Sequence, residues 1–493
     1  MMVWRRRGVS LRQLARRGIV ATTTTRGHRS GVAGSIAGRA LPIFVVAALA
    51  GCHATPANSP GVLSTKAELS GLVPDRWEAR PSWTAPASAA AWNLDFGDPT
   101  LARLIAEALA ANPDLRVAAD LVAVAEADAT IAGAELYPAL SAGFSSGRSR
   151  DVFVGFPVES PDLPSPLSTT VTRLGLSLDL SWELDVWGRL RAGKDAAQGD
   201  LDAARAAYDG ARLSLAGQTA KVWFALLEAR EQLALAEQTL ASWRTTEAQV
   251  SARYALGVRS PLDLRLSRTQ VAASEARAIL RRATLERVAR QLEALLGRYP
   301  SAELAESEPD HTLSAWPSMP AVPAGIPIDL LARRPDLAEA EQRVFAAERR
   351  VWAAKASLLP RVALTGSAGT VSDDFAHLLD GDFGVWSLAA NLMQPIFEGG
   401  RLRGAVRKAK AAAGAEASEY VSTALVAFTE VENALAGEGY LAQAEDALAR
   451  AAVEAAAAER LANERYRSGI EGYVTLLESR RTSLQADSAL IEA

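Results

Sequence analysis

Residues 335–403 read PDLAEAEQRVFAAERRVWAAKASLLPRVALTGSAGTVSDDFAHLLDGDFGVWSLAANLMQPIFEGGRLR, and an earlier part of the chain says nearly the same thing. Pro335-Asp336-Leu337 echoes Pro113-Asp114-Leu115, and Pro360 echoes Pro138, each 222 residues apart. Arg401-Leu402-Arg403 echoes Arg189-Leu190-Arg191 at a shorter offset of 212, which Tyr466-Arg467-Ser468-Gly469 keeps against Tyr254-Ala255-Leu256-Gly257. The chain is therefore a tandem duplication whose second copy has a loop about ten residues shorter, and a repeat has to be recognised before the fold is assigned.

Within each copy the hydrophobic period changes from 3.6 to 2 and back. After Phe96-Gly97-Asp98-Pro99, with Asp98 as N-cap and Pro99 at the first helical position, Leu101, Leu104, Ile105, Ala108 and Leu109 form a helical stripe. Pro113 interrupts it, and Pro138 ends the helix. Leu140, Ala142 and Phe144 then alternate with Ser141, Gly143 and Ser145, and a polar, Pro-rich loop is expected over Arg148–Ser168. Leu174, Leu176, Leu178, Leu180 and Trp182 alternate with Gly175, Ser177, Asp179 and Ser181. Such a strand separates hydrocarbon from water, although a soluble sandwich would show the same alternation. In the second copy Val362 and Leu364 share one face of a strand, Ser372–Phe383 makes a short acidic loop, and Trp386, Leu388, Ala390 and Leu392 alternate with Ser387, Ala389 and Asn391. The run Gly366–Gly369 reads as small lumen-facing packing.

A helical pattern from Arg189 to about Leu256 would be on the order of 105 Å long. Val222, Leu226, Ala229, Leu233, Ala236, Leu240 and Trp243 keep a 3.5 repeat, the mark of coiled-coil packing. Gly257 is placed as a C-cap, and Ser260-Pro261 starts the return helix. Arg401–Tyr466 is its counterpart, with a turn at Gly469–Gly472 and a last helix from Tyr473. Tyr299–Pro335 carries too many prolines for a long helix and joins the copies. Nothing after Ala493 matches Arg282–Gly297, so the last helix is expected to be short, with an apolar groove near the barrel end.

The N-terminus has its own logic. Residues 1–51 hold nine arginines and no acid, which leaves 44 basic against 57 acidic residues, a balance of −13. That disfavours a nucleic-acid partner. The apolar run Ala40–Leu49 is of signal-peptide length. Leu49-Ala50-Gly51-Cys52 matches a bacterial lipobox, with the single cysteine as the acceptor; an ordinary signal peptide with an incidental cysteine is the alternative. The resemblance implies cleavage before Cys52 and acylation there, with His53 not matching the inner-membrane retention rule. Arg16-Arg17 lacks the flanks of a twin-arginine signal, and the long basic stretch would suit a start downstream of Met1. The expected organisation is a signal over 1–51, a lipidated arm over 52–98 with irregular Trp77, Trp83 and Trp92, a first repeat over 99–298, a Pro-rich joint over 299–334 and a second repeat over 335–493.

Four strands with an apolar face cannot close a barrel in lipid, since open edges leave backbone groups unpaired and about eight strands is the lower limit. Three chains would give twelve strands. The long helices are too polar to span a bilayer and must project as a water-soluble coiled-coil tube.

The joint Pro320-x-x-Pro323-x-Gly325-x-Pro327, followed by Leu330-Leu331-x-Arg333-Arg334-Pro335-Asp336-Leu337, closely resembles that of the outer-membrane factor family, the TolC- and OprM-like channels with the NodT-type efflux lipoproteins. Phe96-x-Asp98-Pro99-x-Leu101-x-x-Leu104-Ile105 and Tyr466-x-x-Gly469 fit as well. The resemblance implies an α+β membrane channel: a homotrimer with a twelve-stranded outer-membrane β-barrel, Leu176, Leu178, Leu180, Trp182, Trp386, Leu388 and Leu392 facing lipid, and a periplasmic helical barrel. It implies partners, a periplasmic adaptor and an inner-membrane RND-type pump, and no cofactor beyond the lipid. Docking tips map onto Tyr254, Leu256, Gly257, Val258 and Ser260, and onto Tyr466, Ser468, Gly469 and Ile470; these residues would also serve as plain caps and turns. A pore constriction maps onto Glu478 and Thr475, the latter where some members have Asp, with Arg480 or Arg481 placed to pair with acids on a neighbouring helix. The function implied is a passive exit duct for small molecules or metal ions, with protein secretion of type I as the alternative within the family.

No catalytic constellation is legible. His28, His53, His311 and His377 do not cluster at metal-ligand spacings, and no phosphate loop or nucleophile elbow appears. A coiled-coil envelope scaffold would explain the helices but not the two matching hairpins. A lipoprotein hydrolase would explain the lipobox but lacks a nucleophile and base.

Overall fold

Two helices of 67 residues each, about 100 Å long, set the frame. The structure, a computed structural model, describes residues 71, 73–79, 97–154, 166–307, 312–313 and 327–493. Cys52, Trp83, Trp92, Phe96, His311 and the proline run from Pro309 to Pro323 lie outside the described residues.

In order, the described elements are α1 (Pro99–Ala111), α2 (Pro113–Ala134), β1 (Ala139–Phe153), β2 (Leu167–Leu184), α3 (Arg189–Ala255) and α4 (Pro261–Leu295). After the joint come α5 (Pro327–Arg333), α6 (Pro335–Ala356), β3 (Arg361–Ser372), β4 (Gly384–Met393), α7 (Arg401–Arg467) and α8 (Tyr473–Glu492). The duplication is visible at the backbone: α2 and α6 have 22 residues each, and the long helices start after Gly188 and Gly400, with φ of 73° and 86°. Both end at a glycine with φ of 78°, Gly257 and Gly469. At each end the 6→1 and 5→2 hydrogen bonds of a Schellman cap form, Val258 N to Arg253 O (2.9 Å) and Ile470 N to Arg465 O (2.9 Å) among them.

Polar side chains fix the helix starts. Asp98 is only 3% exposed because both carboxylate oxygens are used. Its Oδ1 accepts from Thr100 N (2.8 Å) and its Oδ2 from Trp223 Nε1 (2.8 Å), pinning α1 to α3. Asn112 caps α2 through Asp114 N and Leu115 N while its amide donates to Leu295 O. Pro113 thus restarts the helix after one residue. Around these caps Leu101, Leu104, Trp223, Leu226 and Leu292 form the first core, and Leu337, Val344, Tyr420 and Ala424 the second. Buried Glu293 holds the entry to the joint by accepting from Ala302 N and Leu304 N. Arg334 pairs with Asp336 at 2.8 Å and with Glu430 at 2.7 Å, tying the joint to α7. Upstream, Trp77 is buried and stands 6.3 Å from Phe428, while Glu78 N and Ala79 N both donate to Glu432. The described part of the arm is thus laid against α7.

The strands form one antiparallel sheet in the order β1-β2-β3-β4. β1 runs on to Phe153 and β2 begins at Leu167, so Arg148–Phe153 and Leu167–Ser168, at the two ends of the stretch expected as a loop over Arg148–Ser168, are strand. The polar composition that suggested a loop belongs there to the outer part of the hairpin, beyond its apolar face. The β3–β4 hairpin is shorter, at 12 and 10 residues against 15 and 18, which accounts for the change in repeat offset. The groove beside α8, of about 290 Å³, is lined by Gln232, Arg277, Arg281 and Ser488 as well as Leu235 and Leu484, so it is mixed rather than apolar.

Candidate functional site

Sheet register decides what the four strands can do together. Leu140 pairs with Leu180, Leu180 with Gly366, and Gly366 with Leu388. Paired residues in an antiparallel ladder share a face. Hence Leu140, Phe144, Leu176, Leu178, Leu180, Trp182, Leu364, Trp386, Leu388 and Leu392 lie on one side. Ser141, Ser145, Asp179, Ser181, Ser367, Ser387 and Asn391 lie on the other. The apolar side is open: Trp386 is 81% exposed, Leu392 73% and Leu388 70%. Leu174, on the same face, is the exception and is buried. Gly366 and Ala368 share the apolar side, so only Ser367 and Gly369 of that small run face the polar side; size, not polarity, had suggested the opposite. Gly369 is needed for a close approach, because an added Cβ would overlap the Leu176 carbonyl oxygen. The sheet has two unpaired edges, β1 and β4, and every residue of both is exposed.

Where sheet passes into helix, indole donors find backbone acceptors. Trp182 Nε1 donates to Leu136 O (3.0 Å) and Trp187 Nε1 to Pro360 O (2.7 Å). Asp185 accepts from Leu190 N, Arg191 N and Arg191 Nε, and Arg189 makes a bidentate pair with Glu183.

The far ends of the long helices form two adjacent tips. Leu256 (78%), Val258 (69%) and Ile470 (68%) project, Tyr254 is partly exposed, Ser468 is exposed, and Ser260 caps α4 through Asp263 N. Tyr466 differs from its expected surface role. It is 2% exposed and packs with Trp243, Val250, Leu264, Tyr473 and Leu476 inside the tip. A large ring at the last helical turn gains more from this core than from solvent. Arg259 and Arg253, from the first tip, stand 4.6 and 5.7 Å from the Tyr466 ring centre and clasp the second tip by cation–π contact. The repeat hides this pair, because Arg259 corresponds to Glu471, which instead pairs with Arg465 at 3.2 Å.

Thr475, Glu478 and Arg481 lie together along an exposed strip of α8. Arg481 is 3.9 Å from Glu478 on its own helix. Thr475 donates to Glu471 (3.4 Å), an acid one turn nearer the tip that motif comparison had passed over. The cross-helix arginine is Arg480. Its Nη1 donates to Thr246 of α3 (2.6 Å), its Nε lies 3.3 Å from Glu459 of α7, and its guanidinium sits 5.0 Å from the Trp243 ring centre. Burial lowers its pKa. A cleft of about 150 Å³ opens beside it, lined in part by Glu459 and Asp487. Burial, then the Glu459 charge, pushes the Asp487 carboxyl up. Among the described residues no group of His, Cys, Asp and Glu could hold a metal ion, and no helix is long and apolar enough to cross a membrane.

Comparison with known proteins agrees with this geometry. A family model described as "Outer membrane efflux protein" matches residues 104–298 and 326–493. The solvent efflux pump outer membrane protein SrpC of Pseudomonas putida is 30% identical over 460 residues, 92% of this chain and 94% of its own. The pyoverdine export outer membrane protein OpmQ of Pseudomonas putida is 33% identical over 411 residues, 82% of this chain and 86% of its own. The solved outer-membrane channel OprN superposes with a TM-score of 0.75 at 27% identity, covering 90% of this chain and 94% of the other.

Proposed function

Because this chain belongs to the outer membrane efflux protein family, we propose that it is the outer-membrane duct of an efflux pump, a passive exit for small molecules delivered from the periplasmic side. It resides in the outer membrane. Efflux relatives include solvent and pyoverdine exporters, so the cargo class is small and largely organic, and its choice falls to the pump rather than the duct.

One observation carries the assembly: a four-stranded sheet with a continuous apolar face and both edges unpaired. In lipid each unpaired edge is prohibitively costly. Pairing β4 of one copy with β1 of the next satisfies both edges, and three copies close twelve strands around a polar, Ser- and Asn-lined lumen. The same assembly covers the exposed stripe Val117, Leu121, Val124 and Ile131 of α2 and the exposed Leu425, Leu441 and Val453 of α7. A periplasmic adaptor docks at the tips through Leu256, Val258 and Ile470, and Glu478 and Glu471 ring the narrow end, where a concentrated negative potential favours cations. An acyl chain on Cys52 adds a tether.

The test is a purified chain in detergent and in planar bilayers. A heat-resistant trimer that conducts ions, with cation preference reduced by Glu478→Gln, is expected. A stable monomer without conductance would remove the channel reading.

A further inference from the structure

The outward face of the sheet changes character at one level. On β2 it is apolar from Leu184 through Trp182, Leu180, Leu178 and Leu176 to Leu174. That is eleven residues of strand, ten steps or about 33 Å along its axis, and at the usual barrel tilt it matches the roughly 25 Å apolar band of outer-membrane barrels. Leu174 pairs with Ser146. The next outward pairs are Arg148 with Thr172 and Arg150 with Thr170, followed by Val152 with Ser168. Among the described residues of β1 and β2 the outward side of this rim thus carries two arginines, hydroxyls and no acid, the acidic loop Ser372–Phe383 lying at the end of β3, and all of β1 there is exposed. Arg150 donates one N–H to Ser168 Oγ (3.1 Å), which turns its guanidinium along the face and leaves its other donors available.

A charged side chain on the outer face of a barrel is costly at mid-bilayer and nearly neutral at the interface. Two arginines in the first turns of strand beyond the apolar band therefore mark the headgroup layer. The hairpin tip lies at the end of the strands away from the helices, so this layer is the outer leaflet. Arginine presents a planar fork of donors suited to phosphate oxygens. Residues two apart on one face of a strand are about 7 Å from each other, so the pair can engage two phosphates or two oxygens of one. We propose that Arg148 and Arg150 form a seat for the phosphates of an outer-leaflet glycolipid. The seat depends on the outer-membrane orientation given above and fixes which side of the barrel rim holds lipid.

The probe is bisphosphorylated lipid A, offered to the purified trimer in mixed vesicles, with bound lipid counted by native mass spectrometry. Arg148→Ser/Arg150→Ser is expected to weaken binding about thirtyfold, the factor for two cations at an anionic lipid surface. Arg173→Ser, at the same level but on the lumen side opposite Gly147, is expected to leave it unchanged. Wild-type protein is also compared on lipid A lacking both phosphates, a readout that needs no variant to fold; binding there is expected to drop by a similar factor. Millimolar inorganic phosphate is expected not to displace the lipid. Equal binding of the two lipid forms, equal loss with Arg173→Ser, retention by the double variant, or displacement by free phosphate would each overturn the seat. Conductance, recorded on the same samples, separates the two ideas: its absence in wild type removes the channel, its presence without lipid selectivity removes only the seat.

Discussion

At the scale of single residues, the tip is governed by buried groups with unequal satisfaction. The hydroxyls of Tyr466 and Tyr473 are buried and have no hydrogen-bond partner. Removing an unsatisfied buried hydroxyl costs nothing and recovers its desolvation. Tyr466→Phe and Tyr473→Phe are expected to keep or raise thermal stability, within about 1 kcal/mol, as read from melting of the detergent-solubilised protein. Burial pushes the Tyr473 phenol up to about 12, and the Tyr420 phenol likewise. An unfolded tyrosine ionises near pH 10. Stability from these groups is therefore complete below about pH 10 and is lost as pH rises toward 12. Alkaline titration followed by tyrosinate absorbance should show two or more phenols ionising only with unfolding, and fewer in Tyr473→Phe. Arg480 presents the opposite case, a buried charge with three kinds of partner. Arg480→Met is expected to cost about 1–3 kcal/mol of local stability, visible as faster amide exchange in α8 near the tip than in α1.

At the scale of elements, repeat symmetry made most of the fold legible. Proline and glycine positions set the helix ends to within a few residues, because Pro113, Pro261 and Pro335 sit at first turns and Gly257 and Gly469 at left-handed caps. The β1–β2 hairpin was harder. Beyond Phe144 its residues alternate Ser, Gly and Arg, a pattern that periodicity cannot distinguish from loop, and only cross-strand pairing with Thr170 and Thr172 makes it strand. Exposure was legible where it follows from the local helix face, as at Glu478 on its exposed strip of α8, and packing was illegible where it depends on a distant helix. Nothing in the sequence near Tyr466 says that two arginines of the other tip will cover it. Nor does it say that Arg480, not Arg481, faces α3 and α7. Sheet closeness is similarly non-local. Gly369→Val is expected to break the β2–β3 pairing at Leu176 and abolish the heat-resistant trimer on gel electrophoresis, whereas Gly147→Val, with open space around it, should not.

At the scale of the whole molecule, the exposed apolar sheet and the projecting tips lie at opposite ends of the same long helices. Single cysteines at Val258 and Ile470 should cross-link to a periplasmic adaptor, while one at Tyr440, exposed in the middle of α7, should not. Val258→Asp with Ile470→Asp is expected to abolish drug resistance in cells while conductance of the purified channel persists. Loss of both would place the defect in folding rather than in docking.

The unequal hairpins have a consequence for the outside world. The long helices are equal in both copies, so the ring of three chains proposed above would be nearly sixfold at its inner end. The hairpins are not equal, so its crown would be only threefold, with tall and short crenellations alternating around the mouth. Antibodies or phage fibres approaching a cell would meet three raised battlements, and a loop graft for surface display belongs on those rather than on the three low gaps between them.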